Sequence, residues 1–170
     1  MLAISLIIGN GCIYASGNYW PEPDGSQFSV KVISRFEENP IIRPGMPGLE
    51  GKDGGNINGP SLIRVPDWIE NPLGRYYLYF AHHSGKYIRM AYADDLHGPW
   101  SIYKGGVLGL NQTPSKDHIA SPDIHIDHEN KEIRMYFHGK YESTGIYSDH
   151  KQVSFVAISK NGLDFTPSLD

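Results

Sequence analysis

Apolar and polar residues alternate along most of this chain in short runs broken by Gly, Pro, Asn and Asp. Residues 27–37, with Phe28, Val30, Val32 and Ile33, predict a strand. Asn39-Pro40-Ile41-Ile42-Arg43-Pro44-Gly45 predicts an extended segment punctuated by proline. Residues 46–58 carry Gly48, Gly51, Gly54 and Gly55 and predict a loop without regular structure. Four strands are then expected at 60–65, 76–81, 88–93 and 100–103, separated by Gly74, by Ser84-Gly85 and by the stretch from Asp94-Asp95 to Gly98-Pro99. Short turns between strands of this kind predict an antiparallel meander. A second set follows at 122–127, 132–138 and 153–159. Asn161-Gly162 supplies a hairpin turn, and Phe165 stands where a fourth strand would start.

The two sets repeat. Pro60-Ser61-Leu62-Ile63 is followed 62 positions later by Pro122-Asp123-Ile124-His125, Tyr79-Phe80 57 positions later by Tyr136-Phe137, and Ala91-Tyr92-Ala93 66 positions later by Ala157-Ile158-Ser159. Near-constant offsets with four strands per unit predict an all-β chain whose units are β-propeller blades. The expected organisation is 1–16 an export leader, 17–58 an N-terminal strand and Gly-rich loop, 59–110 a first blade, and 111–170 a second blade with the chain end. Two blades cannot close a ring, so the chain is expected to be the N-terminal part of a longer protein or to need other copies of itself.

Composition narrows the partners. Nineteen Gly, twelve Pro and eleven Tyr fit β structure rich in turns. A net charge of −4 leaves no basic field for nucleic acid, and no apolar run is long enough to span a bilayer. The single cysteine, Cys12, excludes an internal disulfide framework and a multi-Cys metal site. Residues 2–8 form an apolar run that precedes Ala15 and Ser16. It reads as an export leader, implying a secreted or periplasmic protein, or as a first buried strand. With eight histidines, metal binding has to be weighed, but no helical His spacing and no Cys partner accompany them. Neither a metal nor another cofactor is expected.

Asn39-Pro40-Ile41-Ile42, Gly59-Pro60-Ser61-Leu62-Ile63, Tyr76-Tyr77-Leu78-Tyr79-Phe80 and Ser121-Pro122-Asp123-Ile124-His125, in that order, resemble the five-bladed β-propeller glycosidases of the arabinanase and β-xylosidase type. These are glycoside hydrolase family 43 and its invertase and levansucrase relatives. Ala93-Asp94-Asp95-Leu96-His97-Gly98-Pro99-Trp100 is similar to a third-to-fourth strand hairpin of such blades. The resemblance spans residues 39 to 166 and implies about two of five blades. It further implies hydrolysis of a polysaccharide or oligosaccharide at the propeller axis, one carboxyl protonating the leaving oxygen while another activates water.

Carried over residue by residue, the resemblance makes Asp123 the second-blade Asp that tunes the acid and holds the sugar. Asp123, His125 and Asp127 share one face of their strand, and Ile124 and Ile126 the other. The first-blade base should precede Pro60, but Gly59 stands there with Asn58 before it, and neither accepts a proton from water near pH 7. Three readings stay open. A carboxylate of the Gly-rich loop, Glu50 or Asp53, reaches the axis; phosphate or another nucleophile replaces the base, as in similar mannoside-phosphorylase propellers; or the blade only binds carbohydrate. A general acid from a third blade is expected beyond Asp170, with Glu142 the nearest substitute. His83, His118, His125 and His138, together with Asn58, are expected to bind sugar hydroxyls. Trp20, Trp68 and Trp100 are candidates for stacking on sugar, though Trp100 and the Tyr76, Tyr77 and Tyr79 stripe fit core packing better.

Overall fold

The computed structural model describes residues 7–9, 12–14, 36–140 and 152–168; the side chain of Asp53 lies outside it. The chain divides into two compact units, Met1–Asn39 and Pro40–Asp170. In the first, β1 (Ile7–Gly9) pairs antiparallel with β2 (Cys12–Tyr14), Ile8 opposite Ile13. The strand expected over 27–37 falls outside the described residues up to Phe36, whose carbonyl closes a turn with the Asn39 amide.

Among the described residues the second unit is all-β apart from two one-turn 3-10 segments, Gly51–Gly54 and Leu110–Gln112. Its first sheet is a meander of β3 (Asn58–Arg64), β4 (Tyr76–Ala81), β5 (Tyr87–Ala93) and β6 (Ser101–Ile102). A further strand, β7 (Leu108–Gly109), pairs with the start of β5. The second sheet repeats the meander with β8 (Ile119–Asp127), β9 (Glu132–Lys140), β10 (Gln152–Ser159) and β11 (Thr166–Pro167).

Strands β3 and β8 begin before the prolines that the sequence reading used as their starts. The pairing register slips between Asn58 and Ser61 and again between Ala120 and Asp123, so each proline sits in a bulge where no ladder donor is required. The residue before each proline, Gly59 (φ +56°) or Ser121 (φ +51°), takes the left-handed conformation. The two bulges touch. A Cβ on Gly59 would come within 2.6 Å of the Ser121 Cα, so backbone twist and close approach both demand glycine there.

The register makes the two sheets equivalent residue by residue. Ser61 faces Tyr79 as Asp123 faces Tyr136, and Ile63 faces Tyr77 as His125 faces Arg134. They pack head to tail. Ile63, Tyr77, Tyr79 and Met90 of the first sheet meet Ile124, Met135, Phe137 and Ala157 of the second in one buried core. These second-sheet residues belong to the opposite face of the repeat: Ile124, Met135 and Ala157 are the equivalents of Leu62, Leu78 and Ala91. Such packing can continue from sheet to sheet, whereas a two-sheet sandwich buries like faces. Burying each large side chain of this core contributes roughly 1.5–3 kcal/mol. Polar bridges fix the register: Tyr79 Oη donates to the Gly162 carbonyl at 2.9 Å, the Ile124 amide to Ser61 Oγ at 3.0 Å, and the Ile119 amide to the Gly85 carbonyl at 3.0 Å.

The other face of the first sheet is covered by residues 41–57. Ile42 and the fully buried Leu49 pack on Leu78, Phe80, Ala91 and Trp100. This loop carries a core of its own rather than being a bare linker. Trp100 is buried there, its Nε1 donating to the Leu96 carbonyl at 3.2 Å. Trp68 packs edge-on to His128 rather than standing free, and Trp20 lies outside the described residues.

Candidate functional site

One end of the two sheets gathers polar side chains. It is the end at which β3 and β8 begin, β4 ends and β9 ends. Asn58 opens β3, and its Nδ2 lies 3.1 Å from His83 Nδ1 just past β4. Asn56 Oδ1 accepts the His83 amide at 3.0 Å, so two asparagines hold the His83 segment. His118 immediately precedes β8, and His138 is late in β9. Their rings meet edge to face with centroids 5.8 Å apart.

The electrostatics of this end are set by mutual proximity. Burial pushes the His138 imidazole below its ordinary pKa, and the neighbouring His118 and His83 push it further the same way. At neutral pH His138 is therefore uncharged, with one ring nitrogen donating and one accepting, a pattern suited to hydroxyl groups. Asp117 is held below the usual carboxylate range, first by its hydrogen bond to His118 and then by Lys86 and Lys140. Its carboxylate lies 3.6 Å from Lys86 Nζ, 3.6 Å from His118 Nδ1 and 4.0 Å from Lys140 Nζ, while Lys86 also donates to the Asp117 carbonyl.

Beside this cluster, at the β4–β5 turn, is a cavity of about 240 Å³ lined by Lys52, His82, Ser84, Gly85, Lys86, Tyr87 and Arg89. Arg89 is almost fully buried. Its guanidinium stacks 4.8 Å from the Phe80 ring centroid and donates to the Asn56 carbonyl at 2.6 Å.

Of the residues singled out from sequence, Asn58, His83, His118 and His138 are thus brought to one end. His125 is not. It pairs with Arg134, four residues from His138 along β9, or about 13 Å at strand rise. Asp123 and His125 form a pair at 2.9 Å, with side chains 69% and 58% exposed, on the face of the second sheet turned away from the first. Tyr136 stands edge-on to His125 at 5.4 Å, and Arg134 binds Asp127 at 2.8 Å on the same face. Register equivalence aligns Asp123 with Ser61; the residue equivalent to Gly59 is Ser121. Glu50 is occupied by the Gly48 amide at 2.9 Å, a bond that holds its carboxyl low. Asp53 belongs to the 3-10 turn whose Lys52 borders the cavity, and Glu142 lies outside the described residues. Sequence reasoning passed over Ser121, Asp117, Lys86 and Arg89. The repeated X-Pro step would have pointed to Ser121; no spacing in the sequence signals the other three.

No family model matches the chain. The uncharacterized protein R118 of Acanthamoeba polyphaga mimivirus is 37% identical over 150 residues, covering 78% of this chain and 41% of that protein. Among solved structures, a GH43_1 enzyme from Xanthomonas citri complexed with xylose superposes at a TM-score of 0.50 with 17% identity, over 68% of this chain and 32% of the enzyme. CoXyl43, a GH43 β-xylosidase/α-arabinofuranosidase from a compost microbial metagenome in complex with xylotriose, superposes at 0.50 with 17% identity, over 68% of this chain and 35% of the enzyme. The fold is therefore glycosidase-like. The chain spans about two fifths of its viral relative and about one third of these enzymes.

Proposed function

We propose that this protein handles carbohydrate at the end of the sheets where Asn58, His83, His118 and His138 converge, and that recognition of sugar hydroxyls is the part these residues play. The observation that carries the reading is that convergence, on a glycosidase-like fold whose solved neighbours are complexed with xylose and xylotriose. The uncharged His138 imidazole and the Asn58 carboxamide offer donors and acceptors together, as hydroxyls require.

Hydrolysis by a glycoside hydrolase mechanism is the finer reading. It needs a base and an acid on opposite sides of the scissile bond. The paired bulge positions beside the two prolines, Gly59 and Ser121, carry no carboxylate. Asp53 is favoured as the base candidate over Glu50, because the turn that bears it borders the polar end while Glu50 is occupied by the Gly48 amide; Asp123, expected to tune the acid and hold the sugar, lies on the free face of the second sheet. The general acid belongs outside the two described sheets.

The test is titration calorimetry with xylo- and arabino-oligosaccharides alongside a turnover screen on aryl glycosides, using the full chain and its Asp53→Asn and His83→Ala variants. Binding that fails in His83→Ala supports the recognition reading. Turnover lost in Asp53→Asn while binding survives supports the hydrolytic one. No binding to any glycan tested would overturn both.

A further inference from the structure

A histidine ring that accepts a hydrogen bond at one nitrogen carries its hydrogen on the other, so the partner at the first nitrogen decides what the second offers. Two histidines follow one another at the β4–β5 turn, and each meets a donor at Nδ1. The Ser84 amide donates to His82 Nδ1 at 3.0 Å. Asn58 Nδ2 stands 3.1 Å from His83 Nδ1. A carboxamide nitrogen has hydrogens to give and does not accept, so Nδ1 of His83 is the acceptor in this contact. The ring hydrogen of His83 then belongs to Nε2, the nitrogen farther from Asn58.

The contact follows from the bulge in β3. Regular pairing with β4 runs from Arg64 back to Ser61 and then slips, which leaves Asn58 opposite Ala81, two residues before His83. The His83 amide donates to Asn56 Oδ1 at 3.0 Å, and the Gly85 amide closes the turn on the His82 carbonyl at 3.0 Å. His83 is thus held at its backbone by Asn56 and at its ring by Asn58. A side chain fixed at both points loses little freedom when a ligand arrives.

We propose that Asn58 is a positioning residue, holding the ring hydrogen of His83 on Nε2 so that His83 presents a donor to an acceptor oxygen of the carbohydrate. The ligand part rests on the carbohydrate reading above; the place of the hydrogen does not, and it is read in the ligand-free protein. A carboxylate at position 58 has nearly the size of the carboxamide but only accepts. It would draw the His83 hydrogen to Nδ1 and leave Nε2 an acceptor, so that a ligand oxygen would meet a lone pair in place of a hydrogen.

The experiment records long-range proton–nitrogen correlation spectra of the histidine rings in the full chain at about pH 8, above the ordinary histidine pKa. Titration calorimetry with xylotetraose accompanies it, on the wild type and on Asn58→Asp, with thermal melting to check folding. Ligand-free wild type should show the hydrogen on Nε2 of both His82 and His83. In Asn58→Asp the His83 hydrogen should shift to Nδ1, while His82, held by the Ser84 amide, keeps its pattern. Affinity for xylotetraose should fall about tenfold in the variant, equivalent to about 1.4 kcal/mol. A wild-type His83 with its hydrogen on Nδ1 would overturn the assignment without any variant. An unchanged His83 pattern in Asn58→Asp would remove Asn58 from the positioning role. A shifted hydrogen with unchanged affinity would refute the part of the donor in binding. No binding of xylotetraose to the wild type, with the hydrogen placed as expected, would overturn the carbohydrate reading and leave Asn58 as the residue that sets the His83 ring.

Discussion

The two sheets share a register and a topology but not a surface. In the first, both faces are covered: one by the second sheet, the other by residues 41–57. In the second, the described residues cover only the face toward the first sheet. Where the first sheet presents Ile63, Tyr77, Tyr79 and Met90 to its neighbour, the second presents His125, Arg134, Tyr136 and Val156. Tyr79 and Met90 are fully buried, whereas Tyr136 is 44% exposed. Identical backbone pairing is thus compatible with opposite side-chain chemistry. A polar strand face by itself does not mark a functional site; it also marks a face without a neighbour. Asp123 and His125 belong to such a face, and Asn58, His83, His118 and His138 to the shared end of both sheets.

The largest test of that contrast uses equivalent positions. Met90→Ala, within the core between the sheets, should cost about 2–5 kcal/mol, while Val156→Ala at the matching place on the free face should cost less than about 1 kcal/mol. Chemical denaturation measures both. Equal costs would mean that the free face is buried in solution, by another copy or another segment.

Next come the paired bulges. Gly59→Ala introduces a Cβ against Ser121 at a left-handed backbone and should destabilise by about 1–3 kcal/mol. Ser121→Gly relieves the same backbone strain and should stay within about 1 kcal/mol of the wild type, entropy offsetting relief. If Gly59→Ala were neutral, the contact between the bulges would be refuted.

The pH dependence is smaller. The His138 pKa is lowered in the fold, so the unfolded chain takes up a proton first as pH falls. Stability should therefore drop from about pH 7 downward through the ordinary histidine value near 6.5, until the folded protein is protonated too. Thermal melting between pH 5 and pH 7.5 should show this slope in the wild type and a weaker one in His138→Gln. Asp117 acts in a lower window. Its lowered pKa stabilises the fold above the ordinary carboxylate value, and that contribution is lost as pH falls through the folded value. The smallest effect is expected from Asp123→Asn, which breaks an exposed pair and should change stability by no more than about 1 kcal/mol.

Much of this was legible in the sequence. Short apolar and aromatic runs bounded by turn residues placed β4 to the residue and β5, β9 and β10 to within two residues at either end. The starts of β3 and β8 were hidden by Pro60 and Pro122, which read as breaks but occupy bulges. Strand β7 is two residues long and has no pattern to read. At the site, the histidines were legible as residue types, but a period of two could not say which end of a strand meets another sheet. Nor could it say which polar face lacks a neighbour, which is why Asp123 and His83 were both read as site residues. The cationic cavity depends on Lys52, Lys86 and Arg89 meeting across a loop and a hairpin, a juxtaposition that no local spacing encodes.

Histidine side-chain NMR during titration with xylotetraose tests the central claim most directly, because the imidazoles of the shared end and of the free face report independently. The account predicts ligand-dependent shifts at His83, His118 and His138 and none at His125. Shifts at His125 with the other three unmoved would contradict it and move the sugar to the Asp123 face.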